Sequence, residues 1–200
     1  TVLLRNEYRE GFVTSMDKED QRRSKLFYEY YTSADVATRA HGSALLKYLG
    51  HLEGTTRYID NDVIYYRYAD VLLKIAECYN ALDNGQKCAE YINKVRKRAY
   101  GANWDATFAY NAGTKAQNEL ALLRERDKEF VGEGKRWFDV LRMQDANGKP
   151  LVFSVDAAYP VGRNDQAAAI LSSGDEHKLL WPINSAVLAA DDKITQTFGY

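Results

Sequence analysis

The sequence predicts a mainly α-helical fold: a TPR-like helical hairpin plus further helices, with irregular loop-rich regions and a little β-structure, of the α-α superhelix type. Three observations support this prediction. Apolar residues recur at helical spacing between residues 67 and 100, and a second helical pattern runs from about residue 115 to residue 143. All three prolines lie at or after Pro150, so the preceding chain can form long helices without interruption.

The segment 67–100 is the clearest element of the sequence. Its helical pattern is interrupted at residues 83–85, where Gly85 suits the end of the first helix or a tight turn. Small Ala76 and Cys88 occupy the positions at which the paired helices of a tetratricopeptide repeat (TPR) approach most closely. We therefore expect an αα-hairpin that packs against helices from elsewhere, because a single repeat cannot bury its own face.

Two more helices are predicted in the second half of the chain. The first runs from Lys115 to Phe130, the glycines at 132 and 134 break the pattern, and the second runs from Arg136 to Met143. Three side chains of the second helix are expected to be buried: Trp137, Phe138 and Leu141.

The remaining segments are less regular. Residues 26–31 favour a strand, and residues 44–49 fit a strand or a helix. Residues 101–114 are predicted to form a loop, and residues 144–178 mostly loop with a short helix near 166–171.

Composition excludes several classes of protein. The chain carries 27 Lys and Arg against 28 Asp and Glu, a net charge of -1, which does not suit a phosphate-binding surface for nucleic acid. No apolar run approaches the roughly 20 residues that span a bilayer. The sequence starts at Thr1 without an initiator Met or a leader pattern, so we expect a mature or trimmed piece.

No metal site or cofactor is predicted. Cys78 lies about 200° around the helix from Ala76 and should point away from the facing helix, so Cys78 and Cys88 are expected to be free, buried thiols rather than a disulfide. The isolated histidines at 41, 51 and 177 are expected at the surface or in packing. The Asp60-Asn61-Asp62 segment lacks the remaining ligands of a calcium loop, which favours a turn or helix cap.

Glu125, Glu129 and Glu133 share one helical face at a spacing of four residues. Paired carboxylates carry out the acid–base chemistry of a glycosidase. Basic residues interleave with these three, however, so an ion-pair network is the favoured interpretation. Since phosphate loops and hydrolase motifs are also lacking, we expect a protein that is not an enzyme.

The aromatic residues are the best candidates for ligand binding, because 15 tyrosines accompany only 7 phenylalanines and the tyrosine ring combines an apolar face with a polar tip. Trp104 lies in a loop with Asn103 and Tyr110, a mixture that suits stacking and hydrogen bonding to a sugar. Packing of Trp104 over the end of the hairpin is an equal alternative. A second group of rings is expected to be exposed: Tyr58, Tyr65 and Tyr66.

Three segments, in order and at matching spacing, resemble the SusD/RagB family. Residues 67–73 (RYADVLL) and 92–99 (INKVRKRA) resemble its helix pair, residues 125–139 resemble its signature ending in EGxRWFD, and residues 180–183 (LWPI) with the final Gly199-Tyr200 resemble its closing motif. Some positions depart from the pattern, among them Asp127, Gly132 and Lys135. The resemblance covers 67–200, so the chain is divided into a mixed lead-in segment (1–66), the TPR-like hairpin (67–100) and a SusD/RagB C-terminal region (101–200), expected to form one structural unit.

The resemblance implies a function. SusD-like proteins are non-catalytic outer-membrane lipoproteins that capture oligosaccharides at the cell surface and cover a SusC-like TonB-dependent transporter. It further implies that this chain is the C-terminal part of a longer protein, with the lipidated cysteine and most TPR helices upstream. Trp137 and Trp181 of the family motifs are expected to be structural rather than ligand contacts.

Two alternatives remain at this stage. A TPR-type scaffold would bind a protein or peptide partner in its groove. A glycosidase would use Glu125 and Glu129, and this reading is the weakest of the three.

Overall fold

The computed structural model describes residues 8–31, 41–162 and 164–200. Within these residues the predicted mainly α-helical class is confirmed, with seven α-helices and four short strands. The helices are α1 (Glu10–Thr14), α2 (Gln21–Leu26), α3 (Tyr68–Ala81), α4 (Gly85–Tyr100), α5 (Lys115–Glu129), α6 (Arg136–Arg142) and α7 (Ser185–Ala190). No helix in these ranges is long and apolar enough to cross a membrane.

Helices α3 and α4 form the predicted αα-hairpin. Ala76 and Cys88 are fully buried between them, as the TPR-like spacing indicates. Asn84 caps α4 by accepting a hydrogen bond from the N–H of Lys87 at 3.1 Å. Because this cap places Gly85 inside the helix, the left-handed turn conformation falls on Asp83 (φ 57°), not on the glycine.

Helices α5 and α6 also form where the sequence predicts them. Thr114 begins α5 with a capping box, in which its hydroxyl accepts from the N–H of Gln117 and its own N–H donates to the Gln117 side chain. The loop before α6 contains Gly132 and Gly134 at φ 76° and 70°. These left-handed conformations favour glycine and confirm the predicted break.

The main hydrophobic core lies between the hairpin and α5, α6 and the segment 151–157. Its central side chains are fully or almost fully buried, and they include Leu73, Ile92, Leu122, Leu123, Val140, Met143 and Val152. A second cluster packs α1 and the first strand against the α5–α6 loop, through Phe12, Val13, Met16, Phe27, Val131 and Tyr159. The aromatic pair Phe12–Tyr159 meets edge to face at 5.0 Å within this cluster.

The β-structure consists of two small antiparallel pairs. The strands are β1 (Phe27–Tyr31), β2 (His41–Leu45), β3 (His51–Glu53) and β4 (Thr56–Tyr58). Strand β1 confirms the prediction for residues 26–31, and the ambiguous segment 44–49 is strand up to Leu45 and then turn. The side chains of Tyr31 and His41 lie outside the described part of the molecule.

Besides the predicted burial of Phe138, which is 65% exposed, two further predictions are wrong. Residues 166–171 form no helix, and Leu171 at the end of the segment donates its N–H to the Val152 carbonyl at 3.0 Å. Cys88 is buried, but Cys78 is an exposed thiol rather than a buried one. The exposure of Cys78 agrees with its predicted orientation away from α4. It is exposed rather than buried because no described element covers that outer face of α3.

Candidate functional site

Several exposed or partly exposed aromatic residues lie near the open end of the α3–α4 hairpin, the end opposite its turn at residues 82–84. Tyr65-Tyr66 immediately precede α3, and Trp104 follows α4 after one 3-10 turn. Because the two helices are antiparallel, the start of α3 and the end of α4 meet at this end. Glu129 of α5 joins them by accepting hydrogen bonds from both Arg67 and Arg98.

Trp104 is half-buried over the end of α4. Its ring meets Tyr100 edge-on at 5.8 Å, and Tyr100 in turn packs against Phe108 at 4.6 Å. The neighbouring Asn103 donates to the carbonyl of Glu19 at 3.2 Å, which ties the loop to the segment before α2. Trp104 therefore covers the hairpin end, as the packing alternative expects, while part of its surface stays accessible.

Tyr110 fixes the far end of the same loop. Its hydroxyl donates to Asn118 on α5 at 2.8 Å, and its backbone N–H donates to Asn93 on α4 at 2.8 Å. Burial raises the pKa of the Tyr110 phenol. The polar tip of this ring is thus engaged within the protein, so any ligand contact by Tyr110 would use the ring.

Tyr65 and Tyr66 are the most open of the candidate rings, at 76% and 75% exposed. The ring of Tyr66 lies 5.0 Å from the ammonium of Lys74 and 5.1 Å from that of Lys135. Lys135 also donates to the carbonyl of Tyr65 at 2.6 Å. These contacts hold the segment before α3 against the start of α6 and leave the rings facing solvent.

Tyr58 lies on a different element, the β3–β4 hairpin, where its ring stacks on His51 at 5.4 Å. The segment 60–62, expected to be a turn or helix cap, is neither: Asp60 contacts His51 Nδ1 at 3.0 Å, and Asn61 accepts from the N–H of Gly50 at 2.7 Å. The described ranges hold no cluster of three or more His, Cys, Asp or Glu side chains arranged for a metal ion.

The structure therefore brings the candidates only partly together. Trp104 and Asn103 share one edge of the open end, and Tyr65 and Tyr66 belong to the same end. Tyr110 anchors the loop behind Trp104, and Tyr58 is on a separate hairpin. Among the described residues, no two of the candidate rings are in ring contact with each other.

The glutamates of α5 form a buried ion-pair network. Glu125 lies 2.8 Å from both Arg22 Nη1 and Arg96 Nε, and Glu129 lies 3.0 Å from Arg22 and also pairs with Arg67 and Arg98. The predicted network is confirmed. Its partners, however, come from α2, α4 and the residue before α3, whereas the sequence suggested the basic residues interleaved along α5.

The charges of this network set the protonation of its acids. Burial by itself raises the pKa of Glu125, but the positive charges of Arg22 and Arg96 outweigh it and lower that pKa. Glu129 follows the same pattern, with Arg22 and Arg67 lowering its pKa against burial. A glycosidase acid needs a raised pKa, so these two carboxylates suit structural pairing better than proton donation.

A second buried group connects the hairpin to α6. Arg126 donates to Asp70 of α3 at 2.9 Å and to Asp139 of α6 at 2.8 Å, and all three side chains are at most 3% exposed. Asp139 also accepts from Arg142 at 2.5 Å. This arrangement explains why the signature segment 125–139 is rich in paired charges: they position α3, α5 and α6.

The sequence analysis missed one further group of aromatic residues. Phe138 is 65% exposed instead of buried, because it points away from the core that Val140 enters. Trp181 is 73% exposed, and its ring lies 6.1 Å from that of half-buried Trp137. Apolar spacing alone cannot reveal this exposure, since it assigns both tryptophans to packing.

A helical protein with a TPR-like hairpin, buried ion pairs and solvent-facing aromatic rings is suited to binding a ligand on its surface. The chain belongs to the SusD family, whose sequence profile matches residues 6–200. The resemblance seen in the three sequence segments is thereby confirmed.

Individual relatives agree with this assignment. SusD-like protein P38 of Formosa agariphila is 28% identical over 178 residues, which cover 86% of this chain and 31% of that protein. SusD-like protein P25 of the same organism is 36% identical over 85 residues, or 42% of this chain and 15% of that protein. The chain thus spans less than a third of these curated relatives.

Solved structures show the same fold. A SusD superfamily protein from Bacteroides fragilis is 36% identical with a TM-score of 0.84, and the match covers 97% of this chain and 40% of that one. NanU of B. fragilis is 28% identical with a TM-score of 0.69, covering 96% and 39% of the two chains.

Proposed function

We propose that the chain is part of a protein that binds oligosaccharides at the cell surface without cleaving them and delivers them to a SusC-like TonB-dependent outer-membrane transporter. One observation carries the binding proposal: the solvent-facing rings of Tyr65 and Tyr66 and the partly exposed Trp104, with Asn103 beside it, lie at the open end of the hairpin in a chain of the SusD family. Attachment to the outer membrane, in this proposal, is through an N-terminal lipid anchor outside the given sequence.

The chemistry of these side chains fits sugars. Patches of C–H bonds on a sugar ring lie flat on an aromatic face, and the hydroxyls exchange hydrogen bonds with amides and carboxylates. Tyr65 and Tyr66 offer open rings, while Trp104 offers part of its ring with Asn103 alongside. The chain-wide net charge of -1 is compatible with an uncharged ligand.

The binding proposal is tested by replacing Trp104 with Ala and titrating a panel of oligosaccharides by calorimetry. Loss of one stacking ring should weaken binding by about 1 kcal/mol, roughly fivefold, in a variant with unchanged circular dichroism. Phe138→Ala, which removes an exposed ring on α6, is the matched control and should bind as the wild type does. Unchanged affinity in folded Trp104→Ala would remove Trp104 from the site.

The alternative is a TPR-type scaffold that binds a protein or peptide partner in its groove. The exposed apolar side chains of Tyr68 and Val71 on α3, at 73% and 48%, are compatible with contact to such a partner. Binding of a peptide without any response to glycans would favour this alternative over carbohydrate capture.

A further inference from the structure

Two tyrosines of β1 lie next to each other on the outer face of the β1–β2 ribbon. In the antiparallel pairing of the two strands, Tyr28 is opposite Ala44 and Tyr30 is opposite Gly42. Side chains directly opposite each other share a face, and successive side chains of a strand alternate between faces. Phe27 therefore points to the other face, where it is buried in the second hydrophobic cluster. The two tyrosines face outwards.

The small partners on β2 allow these rings to lie along the ribbon. A Cβ atom at Gly42 would clash with Cζ, Oη and Cε2 of Tyr30, so the outer part of the Tyr30 ring lies directly over the Gly42 backbone. The ring of Tyr28 is inclined to it by only 26°, with 6.4 Å between the ring centroids. Tyr28 is 61% exposed, and Tyr30 is half-buried. Gly42 thus determines the position of Tyr30, which in turn supports the open ring of Tyr28.

The residues of this face limit the kind of ligand. None of its four paired residues carries a charge, so the face has no charged group for a phosphate or a carboxylate. Flat, nearly parallel aromatic rings suit the C–H faces of sugar rings, and the phenol group of Tyr28 can donate and accept hydrogen bonds as a sugar hydroxyl does. Two rings 6.4 Å apart along a strand fit successive units of an oligosaccharide better than a single sugar.

Helix α2 connects the tyrosine pair to the proposed binding end of the hairpin. At the start of α2, Gln21 donates to the Tyr100 carbonyl at 2.8 Å, next to the loop that contains Trp104. At its other end, α2 passes directly into β1. Because α2 has six residues and is therefore about 9 Å long, one oligosaccharide of several units can contact both Trp104 and Tyr28.

We infer that Tyr28 and Tyr30 form a second stacking subsite for the neutral oligosaccharide that the proposed function places at Trp104. This inference rests on the proposed binding of oligosaccharides and extends that site along α2. Long ligands then gain contacts with the tyrosines that short ligands cannot reach.

The test compares ligands of different length. Wild type and Tyr28→Ala are titrated by calorimetry with cello-, xylo- and malto-oligosaccharides of two to six sugar units. Loss of the open ring should weaken binding of the longest ligand about fivefold and leave the disaccharide nearly unaffected. Tyr28→Phe, which keeps the ring, should retain most of the affinity. Tyr68→Ala is the matched control, because it removes a 73% exposed ring on α3 and should bind as the wild type does.

The outcomes separate the subsite from the proposed function. Unchanged affinity of Tyr28→Ala for every length that the wild type binds overturns the subsite and leaves the proposed function intact. An equal loss at all lengths, or the same loss in Tyr68→Ala, also overturns the subsite. A wild type that binds none of these oligosaccharides overturns both.

A second variant tests the position of the rings. Gly42→Ala keeps both tyrosines but places a methyl group where the Tyr30 ring lies, so the ring must move. In a variant with unchanged circular dichroism, binding of the longest ligand should weaken about as much as in Tyr28→Ala. Wild-type affinity of folded Gly42→Ala would overturn the assignment of Tyr30 to the subsite.

Discussion

Replacement of Arg126 with Met should destabilise the chain strongly. Arg126 bridges Asp70 and Asp139 at 2.9 and 2.8 Å, and all three side chains are at most 3% exposed. Removing the central cation leaves two buried carboxylates, for which losses of about 3–5 kcal/mol are typical. Because folded domains are stable by only about 5–15 kcal/mol, this is a large part of the total.

Neighbouring cations moderate the expected loss. Asp70 keeps Lys74 at 3.2 Å and Lys135 at 3.4 Å, and Asp139 keeps Arg142 at 2.5 Å. We therefore expect about 3 kcal/mol, the lower part of the range. For a chain of this length, that loss corresponds to a decrease in Tm of roughly 6–12 °C.

Urea unfolding followed by circular dichroism measures this effect. Arg98→Met is the matched control: Arg98 is 61% exposed, so its loss should cost at most about 1 kcal/mol although it also pairs with a buried acid. Combining Arg126→Met with Asp70→Asn and Asp139→Asn should recover part of the stability, since no unpaired charge then remains buried. Equal midpoints for Arg126→Met and Arg98→Met, at equal slopes, would refute the reasoning.

Further predictions concern pH, the core and the thiols. Because the pKa of Asp127 is raised in the folded protein, ionisation of Asp127 destabilises the fold as pH rises from the ordinary aspartate pKa through the raised value. The stability of Asp127→Asn relative to that of the wild type should therefore increase with pH over this interval. Because the pKa of Glu125 is lowered in the folded protein, the stability of Glu125→Gln relative to that of the wild type should decrease as pH rises towards the ordinary glutamate pKa. Urea midpoints measured across pH test both variants. If the midpoints of Asp127→Asn and Glu125→Gln relative to the wild type change in the same direction, the prediction is contradicted. Leu73→Ala should cost about 2–5 kcal/mol in urea unfolding because the side chain is fully buried, and a loss below 1 kcal/mol would disprove its place in the core. A thiol reagent should modify the exposed Cys78 rapidly in the native protein. Cys88 should react only after unfolding, because burial raises its pKa to about 11. Rapid modification of both thiols in the native protein would contradict this prediction.

Local patterns in the sequence account for most of the helical structure. The hairpin over 67–100 and the helices on either side of Gly132 and Gly134 follow from apolar spacing, caps and glycines, all of which act between near neighbours. The segment 166–171 shows the limit of this reasoning. Its composition suits a helix, but the segment is not helical, and the backbone bond from Leu171 to Val152 joins it to a distant part of the chain.

The candidate site was less predictable, because exposure and ion pairing depend on contacts distant in sequence. The acidic face of α5 could be recognised from its spacing, yet Arg22, which pairs with Glu129 across 107 positions, could not. The sequence predicts the exposure of Tyr65 and Tyr66 from their polar surroundings, whereas it predicts burial for Phe138 and a packing role for Trp181, both of which are exposed.

The most direct test of the proposed function combines binding and turnover in one experiment. The wild-type chain is titrated with oligosaccharides by calorimetry, and the same mixtures are then incubated and assayed for newly formed reducing ends. The proposal predicts saturable binding of at least one oligosaccharide, which is recovered intact. Absence of binding to every oligosaccharide in the panel, or catalytic release of reducing ends that is lost in Glu125→Gln, would contradict it.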